Sequence, residues 1–312
     1  MTQEQFFKNL EVPSGPIDVV LDTDTYNEID DQFALAYMLA YPERLHVKGI
    51  CAAPFFNANS TSPADGMHKS YDEILKLLKL TGKENLNNIV YKGSECWLPD
   101  ENTPVNSDAA QFMADLADKY TPENPLYIVA IGAITNVASA ILMNPSMKEN
   151  TVLVWLGGHA HHMNHTMEFN MMQDVAAARI VFGCGVPLVQ LPCGGVVDHF
   201  ATSRYELEHW LTGKNPLADY LAQNTIREAE SYGKGTAWTR VIWDVTAVAW
   251  LVNDDNRFMH GTLEHSPIPE YDHHYGFDNR RHFIRYVDSI NRDALFTDLF
   301  QRLSFENLIS RR

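Results

Sequence analysis

IDVVLDTDTYNEIDDQFALAYMLAYP, residues 17–42, carries the pattern that orders the rest of the chain. IDVVLDT (17–23) is apolar on both faces and reads as a buried strand. DDQFALAYMLAYP (30–42) reads as a helix stopped by Pro42. Working outward, LHVKGICAA (45–53) is a second strand, and ADGMHKSYDEILKLLKLTG (64–82) an amphipathic helix with Ile74, Leu77 and Leu78 on its apolar side and Gly82 at its end. The alternation repeats: NIVYKG, a helix over SDAAQFMADLADKY capped by Ser107, PLYIVAIG, a helix over TNVASAILMN, TVLVWLGG, a helix over DVAAARIVFG capped by Asp174, and PLVQLPC. Apolar strands separated by helices predict an α/β fold with a mostly parallel central sheet covered on both faces. The last third is more helical (YELEHWL, LADYLAQNTIREAESYG, DVTAVAWLV). It closes with a small antiparallel pair, RFMHGTLEH with RHFIRYVD, and a helix from Arg292. No linker or internal repeat interrupts the pattern, so residues 1–312 are expected to form one domain.

Asp and Glu outnumber Lys and Arg 40 to 24, a formal charge of −16, which argues against a nucleic-acid partner. No apolar run is long enough for a membrane span, and the first residues lack the basic and apolar parts of a secretory signal. Cys51, Cys96, Cys184 and Cys193 show no paired spacing, and most read as buried reduced thiols. The cytoplasm is the expected compartment.

In such a sheet, ligands bind at the carboxyl ends of the strands. Unusual polar residues collect there: Asp22 and Asp24, Asn57 and Asn59, Thr135 and Asn136, and the segment HAHHMNHTMEFN. Between Asp22 and Asp31 stand five acidic residues in ten positions. Such crowding calls for a cation or many hydrogen-bond donors, and hard carboxylate oxygens suit Ca²⁺ or Mg²⁺. A plainer reading is a solvated loop in which Asp30 and Asp31 only begin the helix. An EF-hand is excluded, since Tyr26, Asn27 and Phe33 stand where Asp/Asn, Gly and Glu are required. A Mg²⁺-dependent phosphohydrolase with Asp22 as nucleophile fits D-x-D but not Tyr26, and it lacks a downstream G-D-x-x-x-D.

Five ordered motifs make the chain resemble the inosine-uridine preferring nucleoside hydrolase family over nearly its full length: DTDTYNEIDD, GICAAPFFN, GAITNVA, GGHAHHMNHTMEFNMMQDVAAA and WDVTAVAWL. The resemblance implies a calcium-dependent hydrolase that splits ribonucleosides into ribose and free base. It implies Ca²⁺ bound by Asp24, Asp31, Asp244 and the Thr135 carbonyl. Asp24 would be the general base for water, and Asp30, Asn57, Asn164, Glu168 and Asn170 would hold the ribose. Asp22 would support the ligands from behind. A homodimer or homotetramer is also implied.

Three departures follow from the same alignment of motifs. The opening loop is two residues longer around Tyr26, Asn27 and Glu28. Trp243 stands where non-specific members carry a leaving-group His, as in purine-specific relatives, so a purine-leaning stack on the base is expected. TPVNSDAAQ lacks a second usual His. Trp97 and His162 are candidates for contacts to the leaving group, His162 also for the place given to Asn164. With both histidines missing, a catalytically weak ribonucleoside-binding relative is the alternative.

Overall fold

The computed structural model describes residues 1–304. Eight strands form the central sheet: β1 (Ile17–Thr23), β2 (Leu45–Ala52), β3 (Val90–Lys92), β4 (Leu126–Ala130), β5 (Thr151–Leu156), β6 (Leu188–Leu191), β7 (Met259–His265) and β8 (Phe283–Ile290). Their order is β3-β2-β1-β4-β5-β6-β8-β7. All neighbours are parallel except β8 with β7. β1 lies centrally, and the sheet runs both ways from it, so the ends of β1 and β4 flank a topological switch point.

The strands are buried on both faces because helices cover both. Leu21, Val129 and Val154 pack with the helix Asp31–Leu39 on one side, while Val20, Ile128 and Leu153 pack with Asp108–Ala117 and Thr135–Met143 on the other. The helix expected over 30–42 ends at Leu39, where the N–H of Ala40 bonds back to Ala36 and Tyr37 three residues before Pro42. Ser107 and Asp174 cap their helices, accepting from the backbone N–H of Ala110 and Ala177.

The late antiparallel pair is part of the main sheet. β8 inserts parallel to β6, pairing Arg285 with Val189, and carries β7 to the edge. Two separate two-stranded ribbons join Ala201–Thr202 to Arg240–Val241 and Ile268–Pro269 to Tyr275–Gly276. All four cysteines are free, with Cys51 and Cys193 buried and Cys96 exposed. No helix among the described residues is long and apolar enough to cross a membrane.

Candidate active site

A cavity of about 250 Å³ opens at the carboxyl ends of the parallel strands. Asp30, Glu168, Asn170, Trp243 and Asp244 line it, together with Asn27, Glu28, His159, Cys193 and Asp198. Asp24 and Asp31 are buried behind this wall.

The acidic cluster is built from two places in the sequence. β1 carries Asp22 and leads directly into Asp24, Asp30 and Asp31 stand at the start of the helix Asp31–Leu39, and Asp244 immediately precedes the helix Val245–Trp250. Asp30, Asp31 and Asp244 each bring a carboxylate oxygen within 4.8 Å of the others. The N–H of Asp244 donates to Asp30 Oδ2 at 3.3 Å, and the Thr23 hydroxyl donates to Asp31 Oδ1 at 2.5 Å.

Asp24 is wholly enclosed, and neither carboxylate oxygen has a hydrogen-bond partner among the described residues. A bare buried carboxylate costs several kcal/mol, so protonation or a cation must compensate it. Burial, then repulsion from Asp31 and Asp30, pushes Asp24 well above the usual carboxylate range. Burial first and then the neighbouring carboxylates push Asp30 up to about 8, and Asp244 rises for the same reasons. Asp31 reaches about 6 through burial, against the hydrogen bond from Thr23. Among the described residues no Lys or Arg lines the cavity. An all-oxygen set of acidic ligands with orphaned atoms fits a hard divalent cation.

Around this cluster the scaffold is closely specified. A Cβ on Gly132 would stand 3.0 Å from the Asp24 carboxyl, so the bare backbone there lets β4 pass the site. Asp22 accepts from Asn136 Nδ2 at 2.8 Å, and burial lifts it to about 7 against that bond. Asp22 does not line the cavity. The Thr135 hydroxyl donates to Asp174 Oδ2 at 2.7 Å, so that side chain is already engaged.

Glu168 accepts three backbone N–H bonds, from Gly158 (2.8 Å), Asn170 (2.9 Å) and Met171 (2.9 Å), which fix both oxygens. Asn170 donates through Nδ2 to the carbonyls of Ile131, the residue after β4, and Leu156, the last of β5. Its Oδ1 is thereby left as the acceptor at the cavity.

Four expected contacts fall elsewhere. Asn57 does not line the cavity; its amide donates to Asn27 Oδ1 at 2.5 Å, so it anchors the lengthened loop while Asn27 takes the wall. Asn164 and His162 are exposed and outside the lining, because the chain turns outward after Ala160. Trp97 is half-buried and also outside it. His159 takes the wall instead, with the N–H of Gly194 donating to its Nδ1 at 3.1 Å. Burial and His165 hold it below the usual imidazole value. His159 stood among four histidines in one segment, and only the fold separates them.

A parallel sheet whose carboxyl edge joins an oxygen-only acidic cluster to a sugar-sized cavity is the arrangement of an α/β enzyme whose site suits a hard cation and a polyhydroxylated ligand. The family model described as inosine-uridine preferring nucleoside hydrolase matches residues 19–296, and the chain belongs to that family, a hydrolase acting on N-glycosyl bonds. Among curated relatives, the probable uridine nucleosidase 2 of Arabidopsis thaliana is 26% identical over 66% of this chain and 67% of its own. The pyrimidine-specific ribonucleoside hydrolase RihA of Escherichia coli is 28% identical over 76% of this chain and 80% of its own. In fold, the chain is similar to the purine-preferring ribonucleoside hydrolase from Gardnerella vaginalis, with TM-score 0.72, 19% identity, and 95% and 100% of the two chains covered. It is equally similar to the plant nucleoside hydrolase PpNRh1, with TM-score 0.72, 19% identity, and 93% and 99% covered.

Proposed function

We propose that this chain, acting as one domain, hydrolyses ribonucleosides to ribose and free base at a bound Ca²⁺. The observation that carries the proposal is the Asp24 carboxylate, buried with both oxygens unpartnered inside a ring of further carboxylates. Asp24, Asp31, Asp244 and the Thr135 carbonyl would hold the cation. When bound, it supplies Lewis-acid polarisation of a water and of sugar hydroxyls.

Asp24 takes a proton from the attacking water as general base. Glu168, its oxygens fixed by three backbone donors, accepts from ribose hydroxyls, and Asn170 Oδ1 and Asp30 do the same from neighbouring positions. These contacts orient the anomeric carbon and discriminate against deoxysugars. As the bond to the base breaks, the sugar develops oxocarbenium character that the surrounding carboxylates stabilise. Trp243 at the cavity offers a face on which a flat base stacks.

A purine-leaning preference rests on Trp243. The relatives named above include both pyrimidine-specific and purine-preferring enzymes, so a panel of bases decides it. A cytoplasmic homodimer or homotetramer belongs to the same proposal and is checked by sedimentation and cell fractionation. The central test incubates the calcium-loaded protein with inosine, guanosine, adenosine, uridine and cytidine and measures reducing sugar. Ribose release supports the proposal, whereas tight binding without release would leave a ribonucleoside-binding protein.

A further inference from the structure

Arg240 has no place in the cation or sugar machinery, yet its side chain is only 8% exposed. Its guanidinium pairs with Glu28 and, through Nε at 3.1 Å, with Glu228. The same guanidinium lies over the ring of Trp243, 4.9 Å from its centroid. Glu28 and Trp243 both line the cavity. One enclosed cation therefore ties a carboxylate and an indole of the cavity wall together. Glu28 comes from the lengthened loop after β1, Arg240 from the short strand Arg240–Val241, and Glu228 from the helix Pro216–Gly233.

A guanidinium stays charged at any working pH, and enclosing one is costly unless it is paired in good geometry. The two flanking carboxylates meet that condition, which marks the triad as a built feature and not a chance surface contact. Its consequence lies at the cavity. Arg240 occupies one face of the indole, so stacking is left to the other. Oε2 of Glu28 is engaged by Arg240, while Oε1 has no hydrogen-bond partner among the described residues. A free carboxylate oxygen beside an aromatic face suits a planar ring that carries an N–H: the face stacks and the N–H donates to the carboxylate.

We propose that Glu28 and Trp243, held in register by Arg240, form the corner that recognises the leaving base, and that it selects bases presenting a ring N–H, as in the lactam forms of hypoxanthine, guanine and uracil. This rests on the nucleoside hydrolase proposal and adds the chemistry of the leaving group. Arg240 is a positioning residue; Glu28 and Trp243 touch the base. Adenine and cytosine offer only exocyclic amino groups in that plane and are the poorer fit.

N-methylation removes the ring donor and leaves the rest of the base intact, so it isolates the contact. The calcium-loaded parent, Glu28→Ala and Arg240→Lys are compared on inosine against 1-methylinosine and on uridine against 3-methyluridine, by kcat/KM and by dissociation constant. In the parent, methylation is expected to cost at least about ten-fold, because the carboxylate is left without its donor. In Glu28→Ala that penalty shrinks below about three-fold, while inhibition by free ribose, which reads the other half of the site, changes by less than about two-fold. Arg240→Lys keeps the charge but loses the fork, and raises KM more than it lowers kcat. An unchanged methylation penalty in Glu28→Ala, or no penalty in the parent, overturns the proposal. The parent ratio needs no variant to fold. If the parent releases no sugar, hydrolysis is refuted, and the dissociation constants still decide the recognition.

Discussion

Asn136 donates through Nδ2 to Oδ1 of Asp22 at 2.8 Å, with both side chains wholly buried. The same Nδ2 reaches the Ala52 carbonyl at 3.2 Å, and Oδ1 of Asn136 accepts from the N–H of Ser94 at 2.7 Å. One side chain thus joins the ends of β1 and β2 to the loop after β3, directly beneath the acidic cluster. Asn136→Ala strips the Asp22 carboxylate of the one hydrogen bond it has among the described residues and leaves Ser94 N–H unpaired. Each buried orphan costs roughly 1–3 kcal/mol, and loss of such a support lowers metal affinity about 10–100-fold. Urea unfolding and calcium titration of the variant measure both. Wild-type stability with wild-type calcium affinity would show that the network is idle.

Asp24→Asn separates the cost of the bare carboxylate from its use. In the chelated protein, folding must protonate Asp24 or bury its charge against Asp31 and Asp30, a cost that the neutral amide avoids, so the variant is expected to be more stable than the parent by on the order of 1–2 kcal/mol. With calcium the order reverses. A cation at a hundred times its Kd stabilises the parent by about 2.7 kcal/mol, and the variant gains far less. Activity falls by about 10²–10⁴, the range for losing a general base. Melting curves in EGTA and in calcium check the crossing. A variant that is less stable in both conditions contradicts the cation-site assignment.

His282 supplies a pH dependence away from the site. Burial first and Arg281 second push its imidazole down to about 4, and its Nε2 is enclosed without a partner among the described residues. Above about pH 6.5 the ring is neutral folded or unfolded and contributes no pH slope. Below that, the unfolded chain takes up a proton that the folded chain refuses until about 4. Stability is therefore present above 6.5 and declines as pH falls across the window, by on the order of 1–3 kcal/mol after allowing for partial solvent access. His282→Gln cannot titrate and should flatten that part of the stability profile, measured by urea unfolding between pH 7 and 4.5. An equal slope in both proteins removes His282 as the cause.

Strand-end logic placed Glu168 and Asn170 at the carboxyl edge of the sheet, the family resemblance added Asp30, Trp243 and Asp244, and all five line the cavity. What it missed depends on loop direction, which spacing does not encode. Asn57 follows β2 at the right edge, but the extra residues after β1 put Asn27 in front of it. His159 and His162 are three positions apart in one segment. Backbone bonds from Ala160 and Cys193 to the Gly158–Gly194 crossing hold the first at the wall, and the turn after it sends the second outward. The insertion of β8 beside β6 is a non-local pairing, and an apparent hairpin pattern says nothing about the neighbour it will choose. The helix Gln3–Asn9 is too short and polar to leave a periodic signal.

Gly132 gives the most selective test of how Asp24 is held. A Cβ there would meet Cγ and Oδ1 of Asp24 at 3.0 Å and the Cβ of Ala53 at 3.2 Å, tighter than ordinary contact, so something must yield. Ala53 is fixed by its N–H bond to the Thr23 carbonyl at 2.8 Å, whereas the Asp24 carboxylate has no hydrogen bond to resist displacement. In Gly132→Ala the carboxylate therefore moves by a few tenths of an ångström and the backbone stays. Gly132 is not among the residues with positive φ, so alanine brings no backbone strain of that kind. The chelated variant should keep the parent's stability to within about 1 kcal/mol, while its calcium affinity and its kcat each fall by roughly ten-fold or more. A large loss of stability without calcium would mean that the backbone yields first. Undiminished calcium affinity would mean that Asp24 is not a ligand.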